Sequence, residues 1–429
     1  MSSGRPAVRS MSDDRRSESG WAVGRDGGRT DGNGGLTSRV DSDRYSRQIR
    51  FAAIGEEGQA KLASACVLIV GTGALGASLA QHMVRAGVGT VRLADRDFVE
   101  FSNLQRQSLF DEEDAAQSLP KAVAAADKLR RINSGVAVEA HVVDVNERSL
   151  PPLADGASLV LDGTDNAATR LLLSDACFAR GIPLLYGGVA GSQGMSAPLV
   201  PGRTACLRCL IGEGDDGEGE TCDTIGVISP AVDFVAALQA AEALKWLTGN
   251  RDAVRMTWLT ADLWPFRLRE SALPEGNPAC PHCGGAARSD AGRLPAGGYG
   301  RGRDSKPVPG RRTAAPVAGT AVRSGAAGEE IGGPARRAAS AVQDAGPIEA
   351  ASLCGRDTVQ VTLGFPLKLD EWRETLAARG CRLTANPYLL RAELPEGEKL
   401  ALFPDGRILV QGTTDTGRAV ALCREYVVR

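Results

Sequence analysis

The chain has 429 residues, with Lys+Arg 50 against Asp+Glu 52 and a formal net charge of -2. At roughly 150 residues per domain this allows two or three domains and a core that needs no disulfide staples. The near balance of charge argues for neither a nucleic-acid nor a membrane surface, no apolar run approaches the ~20 residues of a membrane span, and three His leave little scope for Ser-His-Asp hydrolysis or a three-His metal site.

Residues 1–43 are rich in Gly, Ser, Asp and Arg without apolar periodicity, and they read as a disordered leader. The polar N-terminus, with no apolar stretch after Arg15-Arg16, points to a cytoplasmic, reducing location. There, ten Cys suggest metal or thiol chemistry before a disulfide framework. Residues 44–285 alternate short apolar runs with amphipathic stretches. Cys66–Val70 reads as a buried parallel strand, Gly76–Ala86 as a helix and Val91–Asp95 as the next strand. A helix over Pro120–Ile132 opens with Pro, and strands over Val136–Val143 and Ser158–Leu161 precede a helix over Ala167–Ala179. After Pro183 the pattern shifts to strands with turns, followed by a long apolar helix, Ala231–Leu247, ended by Gly249. The expectation is an α/β fold: a Rossmann-like, mostly parallel sheet covered on both faces and continuing into a mixed sheet. Residues 286–345 are low in complexity and rich in Gly, Pro, Ala and Arg, a disordered linker by composition. Residues 346–429 read as a small α+β module. Its elements are a strand at Val359–Leu363, a helix at Leu369–Ala378, strands through Tyr388 to Val410 and a helix at Thr416–Tyr426. Phe403-Pro-Asp-Gly406 marks a turn between strands.

The chemistry concentrates in a few places. Gly71-Thr-Gly73-Ala-Leu-Gly76 follows a strand and opens a helix, so backbone N–H groups can face a phosphate, and Asp95 ends the next strand where a carboxylate can reach a ribose. This context specifies a nucleotide without choosing between a dinucleotide and ATP. Beyond Asp95 come Ser102-Asn103-Leu-Gln-Arg106-Gln107, then Lys121 at a helix start and Gly163-Thr-Asp165-Asn166 at another strand's carboxyl end. All of these fall on one edge of an open sheet. Hydride transfer has no use for Arg106, Lys121 and Asp165 near phosphates, whereas nucleotidyl transfer uses cations for the developing charge and a carboxylate for Mg²⁺. The plainer readings are a surface Arg, a solvated Lys and an Asp that caps the following helix. Cys206-Leu-Arg-Cys209 and Cys280-Pro-His-Cys283 can close a four-thiolate structural zinc site, with redox pairs as the alternative and His282 as a bystander. Cys222 lies in a polar, Gly-rich stretch, as an exposed nucleophilic thiol or as an ordinary loop Cys. Cys66, Cys177, Cys354, Cys381 and Cys423 sit in apolar patterns and read as core.

With these residues in hand, the stretch from Arg44 to Gly285 strongly resembles the ThiF/MoeB/HesA family, relatives of the ubiquitin-activating enzymes. The resemblance rests on Arg44-Tyr-Ser-Arg47-Gln-Ile49, the glycine loop, Ser102 to Gln107, Leu119-Pro-Lys121, Thr164-Asp165-Asn166, both Cys pairs and Thr221-Cys222. It implies ATP-dependent adenylation of the C-terminal glycine carboxylate of a ubiquitin-like sulfur carrier of the ThiS or MoaD type, ending in Gly-Gly, for thiamin or molybdenum-cofactor biosynthesis. By the same resemblance Asp95 binds ribose, Asn103, Arg106, Gln107 and Lys121 hold the nucleotide, Asp165 binds Mg²⁺, and Arg47 reaches ATP from the other subunit of a homodimer. Cys222 aligns with a Cys that in some relatives links to the carrier. No sulfur-carrying segment is evident, which implies a separate sulfur donor, and the last module looks like an extension found in some ThiF-like proteins. An adenylating dehydratase acting on a tRNA nucleoside carboxylate and an NAD-dependent oxidoreductase remain the alternatives. The first is disfavoured because residues 44–285 lack a concentrated basic face, so no nucleic-acid partner is expected.

Overall fold

The computed structural model describes residues 43–212, 225–284, 348–352 and 357–427. The chain divides into two units between Ser46 and Arg47, and both sheets formed by the described residues lie in the second. The leader at 1–42, the linker at 286–345, Cys222 and Cys354 lie outside the described residues.

The first sheet begins with β1 (Cys66–Val70), whose alternation works in both directions. Val67 and Ile69 enter one apolar cluster while Leu68 and Val70 enter the other, as a strand covered on both faces requires. Beside it run β2 (Thr90–Asp95), β3 (Ala137–Val142), β4 (Leu159–Asp162), β5 (Leu184–Ala190), β6 (Gln193–Leu199), β7 (Thr257–Asp262) and β8 (Arg267–Ala272), in the spatial order β3-β2-β1-β4-β5-β6-β7-β8. The pairings from β3 through β5 are parallel, and those from β5 through β8 are antiparallel. This is the parallel sheet continuing into a mixed one that the sequence implied.

One face carries α1 (Gly55–Ser64), α2 (Ala74–Ala86), α3 (Lys121–Ile132) and α5 (Ser229–Leu247), and the other carries α4 (Ala167–Arg180). The long α5 lies close on β5 and β6 because glycines face it: a Cβ on Gly187 would meet Gln239 at 2.3 Å, and one on Gly194 would meet Val235 at 2.3 Å. Helix α2 starts at Ala74, two residues before the expected start, with Gly73 as its cap residue. It stops at Gly87 (φ 81°), whose N–H reaches the carbonyls of Met83 and Val84. Helix α1 was not anticipated. Two of its ten residues are Gly, and what holds it is tertiary, with Leu62 fully buried in the core.

The second sheet belongs to the same compact unit. It is antiparallel throughout in the order β11-β12-β13-β14-β10-β9, formed by β9 (Glu349–Ser352), β10 (Thr358–Thr362), β11 (Arg382–Asn386), β12 (Leu389–Glu393), β13 (Lys399–Leu402) and β14 (Arg407–Gln411). Helices α6 (Leu369–Ala378) and α7 (Thr416–Tyr426) have the expected bounds. They cover one face of this sheet around Leu376, Leu390, Leu400 and Leu422. Strands β9 and β11 were not foreseen, being short, largely exposed and weak in alternation.

Candidate active site and cysteine cluster

In a sheet ordered 3-2-1-4-5 the chain reverses direction between β1 and β4, and the crevice at their carboxyl ends is where such sheets bind ligands. Three backbone segments meet there. Gly71 (φ 81°) turns out of β1, and a Cβ on Gly76 would sit 1.8 Å from its carbonyl oxygen. A Cβ on Gly163, just past β4, would sit 2.5 Å from the same oxygen. The glycines therefore let the β1–α2 turn and the β4–α4 turn touch backbone to backbone. Gly73 is different, since an added Cβ would meet only the Gln107 amide, at 3.6 Å. Its open side faces the crevice.

Asp95 is buried at the end of β2 and binds the glycine turn directly. One carboxylate oxygen accepts from the Thr72 N–H (2.6 Å) and hydroxyl (3.0 Å), and the other accepts from the Asp97 N–H (2.8 Å). Burial raises its carboxyl above the usual carboxylate range, against the opposing pull of the Lys121 charge. Lys121, only 2% exposed at the start of α3, ion-pairs with Asp97 at 3.2 Å, so its charge lies beside the glycine turn. Asn103 is buried in a short 3₁₀ turn (Phe101–Asn103), and its carbonyl accepts the N–H groups of Arg106 (3.1 Å) and Gln107 (2.9 Å). Arg106 is half-buried and donates to the Ser102 carbonyl (3.0 Å). Gln107 is buried, and its side-chain oxygen finds no hydrogen-bond partner among the described residues. The atom nearest the open side of Gly73 is the amide nitrogen of this side chain, a donor that suits an anionic ligand.

Asp165 is exposed two residues past Gly163. The cap of α4 is Asn166, whose side chain accepts from the Thr169 N–H at 2.8 Å, so the plainer reading of Asp165 as that cap does not hold. The turn carrying Asp165 rests on residues that the sequence did not single out. Buried Asp162 accepts from the Thr164 N–H (2.9 Å) and hydroxyl (2.7 Å), and Arg170 donates to the Thr164 carbonyl (2.7 Å). Burial raises the Asp162 carboxyl, with Arg170 opposing. Thr72 and Asp97 were missed as well. The one available signal was the second Asp of Asp95-Arg96-Asp97, which by itself reads as a surface charge.

Arg47 does not join this group. It is exposed in a helical turn (Ser46–Ile49), and its neighbour Gln48 donates to the Ala86 carbonyl (2.9 Å) at the far end of α2. A helix of 13 residues spans about 20 Å, which separates Arg47 from the crevice of its own chain.

The four cysteines do converge. Cys206, Cys209, Cys280 and Cys283 have sulfurs within 4.8 Å of one another, with Cys206–Cys280 at 3.8 Å and Cys209–Cys283 at 3.7 Å. Tetrahedral zinc with Zn–S bonds of ~2.3 Å separates its sulfurs by about 3.8 Å, so the cluster fits that ion. Both pairs bend tightly, with Cys209 N–H on the Cys206 carbonyl and Gly284 N–H on the Cys280 carbonyl. Burial alone would raise the Cys280 thiol, but N–H groups of Cys283 and His282 directed at its sulfur bring it down to about 7. The His282 ring turns away from the cluster to Asp175 (3.2 Å), which Arg208 also holds. Cys177, Cys381 and Cys423 are buried as expected, but Cys66 is only half-buried, because it opens β1 at the rim of the sheet.

Residues 45–282 match the ThiF family model. The sulfur carrier protein ThiS adenylyltransferase of Bacillus subtilis is 39% identical over 389 residues, which is 90% of this chain and 99% of that protein. The molybdopterin-synthase adenylyltransferase of Escherichia coli is 37% identical over 56% of this chain and 96% of its own length. The crystal structure of E. coli MccB with MccA-N7isoASN superposes on 57% of this chain and 75% of that one at a TM-score of 0.50 and 23% identity, a likeness of fold alone. With a match that runs from Tyr45 through the glycine turn, Lys121 and the first cysteine pair to His282, more than half of the chain, the chain belongs to the ThiF family.

Proposed function

We propose that this protein is an ATP-dependent adenylyltransferase that activates the C-terminal glycine carboxylate of a ubiquitin-like sulfur carrier, of the ThiS type in preference to the MoaD type. The observation that supports this reading most is the meeting, at the β1–β4 crevice, of the glycine turn, the buried Lys121 with its Asp97 partner and the Gln107 amide nitrogen. The choice of ThiS is supported by the Bacillus subtilis relative, whose match extends over 90% of this chain, where the molybdopterin-synthase relative covers 56%. The relatives' names lend no support to an NAD-dependent oxidoreductase.

In this reading the carrier carboxylate attacks the α-phosphorus of ATP. A carboxyl–phosphate bond forms, the α–β phosphoanhydride breaks, and pyrophosphate leaves. An α-carboxyl with a pKa of about 3.5 is ionised at neutral pH, so no general base is required, which suits a chain with only three His. Catalysis then rests on position and charge neutralisation. N–H groups of the turn from Gly73 to Gly76 cradle the phosphates, Asn103, Arg106, Gln107 and Lys121 hold them, and Asp95 takes the ribose. Asp165 offers the oxygen ligand that Mg²⁺ prefers, and that ion would screen the phosphate charge. Arg47 would act on the partner subunit's nucleotide, a role consistent with its distance from its own crevice, and the protein would work as a homodimer. Zinc at the four cysteines is structural, Cys222 serves the later transfer to sulfur, and the sulfur comes from a separate donor. The test is carrier-dependent ATP–pyrophosphate exchange. Arg106→Ala should lower the rate by roughly 10³–10⁵ if it acts as charge-stabilising arginines do, and Asp165→Ala should abolish exchange with the fold intact. Near-normal exchange in either variant removes that residue from the mechanism.

A further inference from the structure

We propose that the C-terminal sheet positions the crossover segment 98–120, with Arg391, Gln411 and Asn386 as positioning residues for nucleotide binding. This rests on the reading of Asn103, Arg106 and Lys121 as the nucleotide-holding residues. The segment leaves the sheet after β2 and returns at α3, and its two ends are already zipped together. Phe98 bridges Pro120, Val99 N–H donates to the Leu119 carbonyl (2.8 Å) and Lys121 N–H to the Asp97 carbonyl (2.9 Å). Between these ends lies the stretch that carries Asn103, Arg106 and Gln107.

Among the described residues, the C-terminal sheet has helices on one face only. Its other face presents Leu389, Ala401, Phe403 and Leu409, which enclose Phe98 of the crossover and leave it 4% exposed. Apolar burial accounts for the docking but not for the polar contacts around it. Asn386 donates to the Gln117 (2.9 Å) and Ser118 (3.1 Å) carbonyls, and Arg391 donates to the Ser118 hydroxyl (3.4 Å). Ser118 is buried with φ 48°, a left-handed conformation that a non-glycine residue keeps only where its surroundings hold it. At the other end Gln411 donates to the Glu100 carboxylate (3.0 Å). Arg391 stands 3.9 Å from the same oxygen, bonds Gln411 (3.3 Å) and lies 5.2 Å over the Phe98 ring.

Glu100 is coupled to the nucleotide-holding residues by the backbone. Its N–H donates to the Asn103 side chain (3.2 Å), its carbonyl accepts from the Asn103 N–H (2.9 Å), and the Asn103 carbonyl then takes the N–H groups of Arg106 and Gln107. A grip on Glu100 is thus a grip on the placement of Arg106. Arg391 and Gln411 touch none of the crevice residues, so they act through the segment.

The experiment uses the full chain with Arg391→Ala/Gln411→Ala, which leaves Phe98 and its apolar cover in place. ATP–pyrophosphate exchange should show a KM for ATP raised roughly tenfold or more and kcat lowered with it, because the misplaced Arg106 serves both the binding of the phosphates and the neutralisation of their developing charge. Backbone amides 100–107 should exchange hydrogen faster while those of β12–β14 stay protected, and Arg391→Lys with Gln411 intact should return KM toward the wild-type value. Wild-type KM in the double variant overturns the proposal, and so does unchanged amide exchange at 100–107. Arg106→Ala is measured in parallel. If it leaves ATP binding intact, the phosphate-site reading fails, and the amide exchange at 100–107 then decides the positioning role by itself.

Discussion

At the scale of single residues, the glycine turn was legible because its chemistry is local: three glycines at fixed offsets between a strand and a helix. What the sequence could not state is that Gly71 and Gly76 also meet Gly163, about ninety positions away in the chain, since that contact exists only once β1 and β4 pair. Gly76→Ala should therefore cost about 3 kcal/mol or more, as an added methyl against a carbonyl forces backbone movement. Urea unfolding measures this, and a variant as stable as the wild type would mean that the turn yields easily. Asp95 was read as a ribose ligand, and the structure adds that its carboxylate already holds Thr72. The sequence hid this because a backbone N–H leaves no mark in it.

At the scale of elements, β1 to β4, β10 and α2 to α5 were readable to within two residues, and α6 and α7 in full, whereas β5 and β6 were legible only as strands without bounds and β7 and β8 not at all. Elements stabilised by their neighbours, such as α1, β9 and β11, were not. Capping shows the same division. An Asx residue ahead of α4 was visible, but which of Asp165 and Asn166 serves as the cap is decided by φ and ψ, and it is Asn166 (φ -124°, ψ 143°). Asn166→Ala should destabilise the domain by about 1 kcal/mol. The shift in denaturation midpoint checks it, and no shift would show that the Thr169 N–H finds another acceptor without loss.

At the scale of the whole molecule, the two Cys-x-x-Cys pairs had a spacing too long to identify a zinc ribbon, and only the fold brings their sulfurs to zinc-like separations. A strong chelator should lower the unfolding temperature and loosen amides of 204–211 and 275–284 first. Unchanged thermal unfolding after verified metal loss would assign the cluster another role. The homodimer reading has its own test. Mixing Arg47→Ala with Asp165→Ala protein should restore about a quarter of wild-type activity, since random pairing gives half mixed dimers with one intact site each. Absence of any recovery would place Arg47 in its own chain's site.

The packing of Phe98 beneath Leu389, Phe403 and Leu409 has a consequence for biogenesis. A ribosome makes the crevice residues first and the strands that cover the crossover last. A nascent polypeptide that has emerged only as far as the second cysteine pair still has the Phe98 ring bare to water. Its nucleotide-binding half is then sticky as well as incomplete until translation nears its end.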